Sequence, residues 1–100
     1  MVGGNNRIVS DTERVMYLLE NYKQLKRAAR LTETENAEIT ALDKCMSVLE
    51  TYERDLIQKT VIEGVSIRAY SINSCFSRTF VTKRRKEIIE EVTKYFKLIN

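Results

Sequence analysis

Between Ser77 and Lys86 the chain reads SRTFVTKRRK, a run that holds five cations and two threonines and no acid. Arginine and lysine can donate hydrogen bonds to guanine O6 and N7, and threonine can bond a base or contact the thymine methyl group. Cations further along the same helix would meet phosphates and make binding depend on salt. The run therefore predicts contact with duplex DNA.

A helix through this run separates into two sides at 100° per residue. The apolar side is predicted to hold the following residues, with Phe80 and Phe96 at its edges: Val81, Ile88, Val92, Tyr95 and Ile99. Arg84 falls nearer that side, so we expect its stem to pack and its charged end to reach the rim. The predicted DNA-binding residues are Ser77 as the helix cap, Arg78, Thr79, Thr82 and Lys83 facing bases, and Arg85 and Lys86 facing phosphates.

A charged helix side can also be no more than a solvated surface. Glu87, Glu90 and Glu91 follow the basic run and could pair with neighbouring lysines at i,i+4, which is ordinary helix stabilisation. These acids appear only beyond the point where a groove-bound helix would leave the DNA. The acid-free stretch before them favours DNA binding over a solvated surface.

A break before Ser77 would position this helix. Gly64 is placed to end a preceding helix in a left-handed conformation, and Ser66 can cap a short helix that runs to about Asn73. Ser77 then caps a last helix that runs to about Leu98. Two helices with such a break predict a helix-turn-helix. Within the break we expect Phe76 to plug the space between the helices and Cys75 to be a small core residue.

The first half of the chain predicts a helical body. Residues 1–9 are expected to be a flexible arm, and the S-D-T-E sequence at Ser10 is a capping box that opens a helix over 11–30. A second helix, capped by Thr32 or Thr34, carries apolar residues at 39, 42, 46 and 49. That spacing fits either an internal helical hairpin over 10–50 or a homodimer seam through 11–50. A break is expected near Thr51–Glu53.

Length and composition limit the fold. One hundred residues without proline and with three glycines have few means of reversing strands, so the prediction is a single all-α domain of four to five helices. It comprises the hairpin over 10–50 followed by a helix-turn-helix over 52–100. The net charge of +3 combines a basic C-terminal end with a mildly acidic span over 33–55, which suggests an anionic partner for the basic end.

Several classes of function are disfavoured. The chain has no histidine and no CxxC motif, so a metal site, a cofactor and the common Ser-His or Cys-His mechanisms are not expected. We predict no catalytic residue and no enzyme activity. No apolar run is long enough to span a membrane and no signal peptide is visible, so we expect a cytoplasmic protein.

The stretch from Leu49 to Val92 resembles a known family. Glu53-Arg54 precedes an apolar helix, Gly64 and Ser66 follow, and the S-R-T-F sequence that starts at Ser77 leads into the basic run. This pattern resembles sigma-70 region 4-like helix-turn-helix proteins, in particular small phage-encoded transcriptional regulators of the ArpU and RinA kind. The resemblance implies a sequence-specific regulator of phage or prophage genes that binds double-stranded DNA and can also contact RNA polymerase.

The turn departs from the usual pattern of that family. The chain has Tyr70-Ser71 where Ile-Ala is common, and Ser74-Cys75 where Leu-Gly is common. A left-handed residue at Cys75 would cost about 1 kcal/mol or more, so we expect a different turn geometry. Two other functions stay open: a module that docks on RNA polymerase or another regulator, and a phage DNA-packaging subunit of the small terminase kind.

Overall fold

The computed structural model describes residues 10–28 and 30–99, and within them it contains helices and connecting turns but no strand. The helices are α1 (Asp11–Glu20), α2 (Tyr22–Arg27), α3 (Glu33–Ser47), α4 (Thr51–Ile57, which continues as a π-helical turn over Gln58–Ile62), α5 (Ile67–Asn73) and α6 (Arg78–Ile99). The all-α prediction is confirmed, but the described residues form six helices where four to five were expected, because the first predicted helix is interrupted at Asn21. The arm predicted for residues 1–9 lies outside the described residues.

Helices α1 and α3 each begin with a capping box. Ser10 accepts the Glu13 amide at 3.1 Å, and Thr32, rather than Thr34, accepts the Glu35 amide at 3.0 Å. The helix predicted over 11–30 is shorter and is interrupted at Asn21, whose side-chain nitrogen donates to the Tyr17 carbonyl at 2.8 Å. A side chain that bonds the preceding turn in this way competes with the regular helical pattern.

The break between α3 and α4 lies at residues 48–50, slightly before the predicted position. Arg54 reaches back over this break, donating from Nε to the Met46 carbonyl at 3.1 Å and from Nη2 to the Leu49 carbonyl at 2.9 Å. It thus satisfies carbonyls at the end of α3 that have no partner within the helix. The Glu50 amide donates to the Glu53 carboxylate at 2.9 Å, and this bond lies at the start of α4. These bonds give Glu53-Arg54 a structural role.

Helix α6 is the centre of the molecule, since α1, α3, α4 and α5 all pack against it. One apolar cluster joins these helices, and its largest fully buried members are Leu18, Leu19, Leu42, Leu56, Ile57 and Ile88. The stripe at Ile39, Leu42, Met46 and Leu49 is buried within the chain, and α1 contacts α3 as the predicted hairpin requires. The homodimer through 11–50 stays a prediction, but that stripe is not available to it.

Gly64 ends the helical run that begins at Thr51. Its φ of +72° is left-handed, as the sequence predicts, and the Val65 amide donates to the Lys59 carbonyl at 2.9 Å. This closure is one residue wider than the usual six-residue closure of a glycine-ended helix, because the run ends in a π-helical turn. A β-carbon on Gly64 would meet no atom within 4 Å. Any penalty for a side chain here therefore comes from backbone conformation and not from a clash.

Replacing Gly64 with alanine should lower the free energy of unfolding by about 1 kcal/mol, because a β-carbon disfavours the left-handed conformation. Asparagine tolerates that conformation better, so Gly64→Asn should lose less. Urea unfolding followed by circular dichroism measures both variants. Equal stability of the alanine variant and the parent protein would contradict this account of the turn.

Tyr70 fastens α5 to α4. Its ring is buried and its hydroxyl donates to Asp55 Oδ2 at 3.0 Å. Burial, together with the hydrogen bond to Asp55, raises the pKa of Tyr70 to about 12 from the ordinary value of 10.0. The neutral phenol is therefore the form that the folded protein holds.

The stability of the protein should consequently fall between about pH 10 and pH 12. Below pH 10 the phenol is protonated in both states; above it the unfolded chain loses the proton first, so folding is progressively disfavoured until the folded pKa of about 12 is passed. Urea unfolding at several pH values should show a shallower decline for Tyr70→Phe. Tyr17→Phe, which removes an exposed phenol, is the control, and an unchanged decline in Tyr70→Phe would contradict the prediction.

Candidate nucleic-acid interface

Helices α5 and α6 are joined by a four-residue turn over 74–77 and pack against each other, which makes a helix-turn-helix. Both helices have a serine cap, as predicted: Ser66 accepts the Ala69 amide at 3.1 Å and Ser77 accepts the Phe80 amide at 3.1 Å. These hydroxyls satisfy amides at the helix starts that have no helical partner. The sequence near each helix start thus determines where the helices of this motif begin.

The turn is built by serine hydroxyls instead of a glycine. Ser71 donates to the Phe76 carbonyl at 2.6 Å, and the Phe76 amide donates to Ser74 Oγ at 3.2 Å. Ser74 is extended, with φ of −122° and ψ of 176°, and Gly64 alone among the described residues has a positive φ. The chain therefore reverses here without a residue in the left-handed conformation, so the energetic cost expected for such a conformation at Cys75 does not arise.

Within the turn, Phe76 and Cys75 have different surroundings. Phe76 packs against the core but is half-buried, and not the buried plug that was predicted; its ring centre lies 5.9 Å from that of Tyr52 and 4.9 Å from that of Phe80. The prediction that Cys75 is a core residue is wrong, because its side chain is exposed. The Phe76 ring already packs against the core at this point of the turn, and the adjacent Cys75 side chain faces solvent.

The buried side of α6 agrees with the prediction in its first half and differs in its second. Val81, Ile88 and Val92 are buried, but Tyr95 and Ile99 are 47% and 40% exposed. The residues buried in addition are Ile89, Thr93 and Phe96. Helix α6 meets α4 near its middle and the start of α1 near its end, so the direction of the core turns along its length. The prediction from a helical wheel assumed one apolar direction along the whole of α6, so it could not give this change.

The exposed side of α6 carries most of the predicted DNA-binding residues. Six of them are exposed: Ser77, Arg78, Thr79, Thr82, Lys83 and Lys86. Four of these line an open groove of about 590 Å³ between the starts of α5 and α6: Arg78, Thr79, Thr82 and Lys83. The opposite wall contains Ile67 and Arg68 from α5. Cations and hydroxyls thus converge on one groove whose lining contains no acid.

Arg68 was missed by the sequence analysis. It is exposed, two residues after the Ser66 cap, and with Arg78 it also lines a neighbouring groove of about 600 Å³ beside Ser71 and Ile72. Its position in the first turn of a capped helix was visible in the sequence. A single arginine is a much weaker signal in a sequence than the dense basic run that begins at Arg78.

Arg85 stands apart from the other predicted DNA-binding residues. It is half-buried, and its Nε lies in the interior without a hydrogen-bond partner among the described residues. It does not line the groove between α5 and α6. The structure thus brings together the residues expected to face bases, with Lys86 exposed on the same helix, and leaves Arg85 to one side.

Arg84 is held within the protein by polar contacts on every side. It forms an ion pair with Glu53, donates from Nε to the Tyr52 hydroxyl at 3.2 Å, and lies 3.2 Å from Glu87 and 3.5 Å from Glu91. The hydrogen bond to Tyr52 and these carboxylates raise the pKa of its guanidinium. Glu87 and Glu91, expected to pair with lysines, therefore serve Arg84, whose charged end is anchored instead of reaching freely into solvent.

The acids of the 33–55 span are also partly used inside the chain. Glu38 accepts from Arg14 Nε at 2.8 Å and is buried, and Asp43 accepts from the Tyr22 hydroxyl and from Lys26 at 3.0 Å. With Glu53 paired to Arg84 and Asp55 accepting from the Tyr70 hydroxyl, four of these acids bind partners on other helices. The acidic span therefore supports a docking surface for a basic protein less than its composition indicates.

Comparisons with protein-family models, curated proteins and solved structures find no match to this chain. Across residues 10–28 and 30–99, no helix is both long and apolar enough to cross a membrane. The same residues contain no cluster of three or more cysteine or acidic side chains that could hold a metal ion. The groove between α5 and α6 and the charges that line it are therefore the main evidence on function.

Replacing Arg84 with methionine should lower the free energy of unfolding by about 3 to 5 kcal/mol, because it leaves the Glu53 carboxylate buried and unpaired. The side chain of Glu53 is 8% exposed, so solvent cannot replace the lost partner. Lys83→Met, on the exposed side of the same helix, should change stability by no more than about 0.5 kcal/mol. Urea unfolding distinguishes the two variants.

Neutralising Glu53 provides the second test of that pair. In the Arg84→Met background, Glu53→Gln should recover part of the lost stability, since an amide is less costly to bury than a carboxylate. Equal effects of Arg84→Met and Lys83→Met would show that the ion pair does not hold α6 against α4.

Proposed function

We propose that this protein is a sequence-specific DNA-binding transcriptional regulator that reads duplex DNA with the first turns of α6. The observation that supports the proposal is the groove between α5 and α6, in which Arg68, Arg78, Thr79, Thr82 and Lys83 come together without an acid. A helix of about 10 to 12 Å diameter fits the major groove of B-DNA, which is about 12 Å wide. The exposed start of α6 is suited to that insertion.

Each side chain has a distinct part in the proposed complex. Arg78 is the first residue of α6, where it can reach guanine O6 and N7. Thr79 and Thr82 are short and exposed, so they can bond base edges or contact a thymine methyl group at close approach. Lys83 and Lys86 extend the same side, with Lys86 placed to meet a phosphate.

Arg68 adds a contact from the first helix of the motif. In helix-turn-helix proteins the first helix crosses the DNA backbone while the second enters the groove. Arg68 lies in the first turn of α5 and faces the same groove as Arg78. We therefore assign it to a phosphate, where it positions α6 and contributes to the salt-dependent part of the affinity.

The part of the proposal that concerns transcription comes from the resemblance of Leu49–Val92 to phage-encoded regulators of the sigma-70 region 4 type. A regulator of a phage or prophage fits a small helical chain with one DNA-binding surface. Docking on RNA polymerase is the accompanying expectation for such a protein.

Selection of bound duplexes from a random pool should yield a defined site, and fluorescence anisotropy then measures the affinity of variants for it. Arg78→Ala should weaken binding by about 1 to 3 kcal/mol and relax the preference at one base pair. Arg68→Ala should weaken binding to all duplexes alike and lower the slope of log K against log salt by about 1.

Lys23→Ala is the matched control, because Lys23 is an exposed cation on α2 outside the groove between α5 and α6. Its removal should leave both the affinity and the sequence preference within error of the parent protein. The proposal fails if no sequence is enriched, or if Arg78→Ala and Lys23→Ala reduce binding equally. Circular dichroism of each variant establishes that the fold is retained.

A further inference from the structure

The second half of α6 carries an exposed stripe that the proposed DNA contact does not use. Glu87, Glu91, Lys94 and Leu98 recur at i, i+4, i+7 and i+11, so they lie along one side of the helix. Leu98 is 83% exposed, the highest value among the large apolar side chains of the described residues. An apolar side chain this exposed on a regular helix raises the question of what covers it.

An apolar groove of about 350 Å³ runs beside this stripe. Its apolar walls are Cys45, Val48 and Leu49 on one side and Val92, Tyr95 and Leu98 of α6 on the other. Val48 is 55% exposed and Tyr95 is 47% exposed, so the groove and the stripe form one continuous patch. Contiguous apolar surface with charges around it is typical of protein interaction sites.

We propose that this patch binds a second copy of the same chain, with the two α6 helices packed antiparallel about a two-fold axis at the level of Val92–Thr93. Glu91 and Lys94 are equally distant from that level, so Glu91 of each copy, which is 52% exposed beside Arg84 of its own chain, also faces Lys94 of the other copy. A two-fold contact requires a surface that is complementary to itself, and these two reciprocal ion pairs meet that requirement. A parallel arrangement would instead bring like charges together.

The ion pairs and the apolar groups have separate effects in this contact. Exposed ion pairs add little affinity, so Glu91 and Lys94 mainly set the register and the antiparallel direction. Burial of Tyr95 and Val48 supplies the driving force, whereas Leu98 of each copy lies level with Glu87 of the other and packs against the aliphatic part of that side chain; the symmetry counts each contact twice.

The same arrangement directs both DNA-binding sides to one face of the dimer. On a helical wheel the centre of Arg78, Thr79, Thr82 and Lys83 lies about 120° from the centre of the stripe. The two-fold axis is perpendicular to both helices, and rotation about it leaves directions along the axis unchanged. Both groups of cations and threonines therefore face the same side of the dimer.

The spacing of the two DNA-binding sides matches a turn of B-DNA. The centre of residues 78–83 lies about 12 residues from the axis, which at 1.5 Å per residue is about 18 Å. The two centres are thus about 36 Å apart along the helices. Dimeric helix-turn-helix proteins read half-sites about 34 to 36 Å apart. The match between this spacing and DNA half-sites rests on the proposed function, whereas the contact between copies can be tested without DNA.

Sedimentation equilibrium of the full chain without DNA tests the contact. The parent protein should show a reversible transition to twice the 11.7 kDa mass of one chain. Leu98→Glu should raise the dimer dissociation constant by roughly 100-fold, because it removes the leucine contact and places an acid level with Glu87 of the other copy, twice in each dimer. The matched control is Ile72→Glu, which changes a 72% exposed side chain on α5 and should leave the constant unchanged.

Charge exchange tests the antiparallel register. Lys94→Glu should weaken the dimer by about tenfold, since Glu91 of one copy then faces a second acid, and adding Glu91→Lys should restore it. In a Cys75→Ser background, chains carrying Glu91→Cys and chains carrying Lys94→Cys should form a disulfide when mixed. Either chain alone should cross-link much less.

The results separate the two proposals. A chain that stays monomeric up to its solubility limit, a ring of many copies, or a dimer insensitive to Leu98→Glu would each overturn the contact. A monomer that still selects a single half-site would overturn the dimer and retain DNA binding. A dimer of the expected register that selects no DNA would support the contact and overturn the proposed function. An enriched site with two-fold symmetry and one-turn spacing would support both.

Discussion

The packing of four helices around α6 is the constraint on which the rest of the structure depends. Helices α1, α3, α4 and α5 cover different parts of the same long helix, so the rotation of α6 about its own axis decides which of its side chains meet solvent. Arg84 is important for that rotation, because its guanidinium is bound by Glu53 of α4 and by the Tyr52 hydroxyl. The arginine in the middle of the basic run thus orients the helix and leaves Lys83 and Lys86 exposed to solvent.

Charge is distributed in a way that follows from this packing. The two carboxylates at the interior ends of ion pairs, Glu38 and Glu53, are almost fully buried and join α1 to α3 and α4 to α6. A buried carboxylate is tolerated where an arginine and further hydrogen bonds replace its water, so each pair penalises other helix registers. The groove at the start of α6 receives no acid, and its positive potential is not cancelled locally.

The turn between α5 and α6 illustrates how one geometry can be reached by different chemistry. Helix-turn-helix segments of the kind that the sequence resembles commonly have a glycine there, whereas this chain uses the hydroxyls of Ser71 and Ser74 to satisfy the carbonyl and amide of Phe76. No strained residue is needed, and Cys75 is left facing solvent. The departure in sequence therefore changes which atoms close the turn, while the two helices still pack together.

Features that depend on a few neighbouring residues were determined by the sequence itself. The helix starts at Ser10, Ser66 and Ser77 and the helix end at Gly64 follow from bonds or backbone preferences within one turn, and they were predicted correctly. Thr32 was one of two candidate caps for α3, and the structure selects it over Thr34. The exposed cations and threonines at the start of α6 followed from periodicity in the same way. The groove wall contributed by Arg68, the anchoring of Arg84 and the exposure of Tyr95 and Cys75 were decided by the tertiary structure. Periodicity gives the direction of a side chain from its own helix, but the neighbour in that direction depends on how distant helices pack.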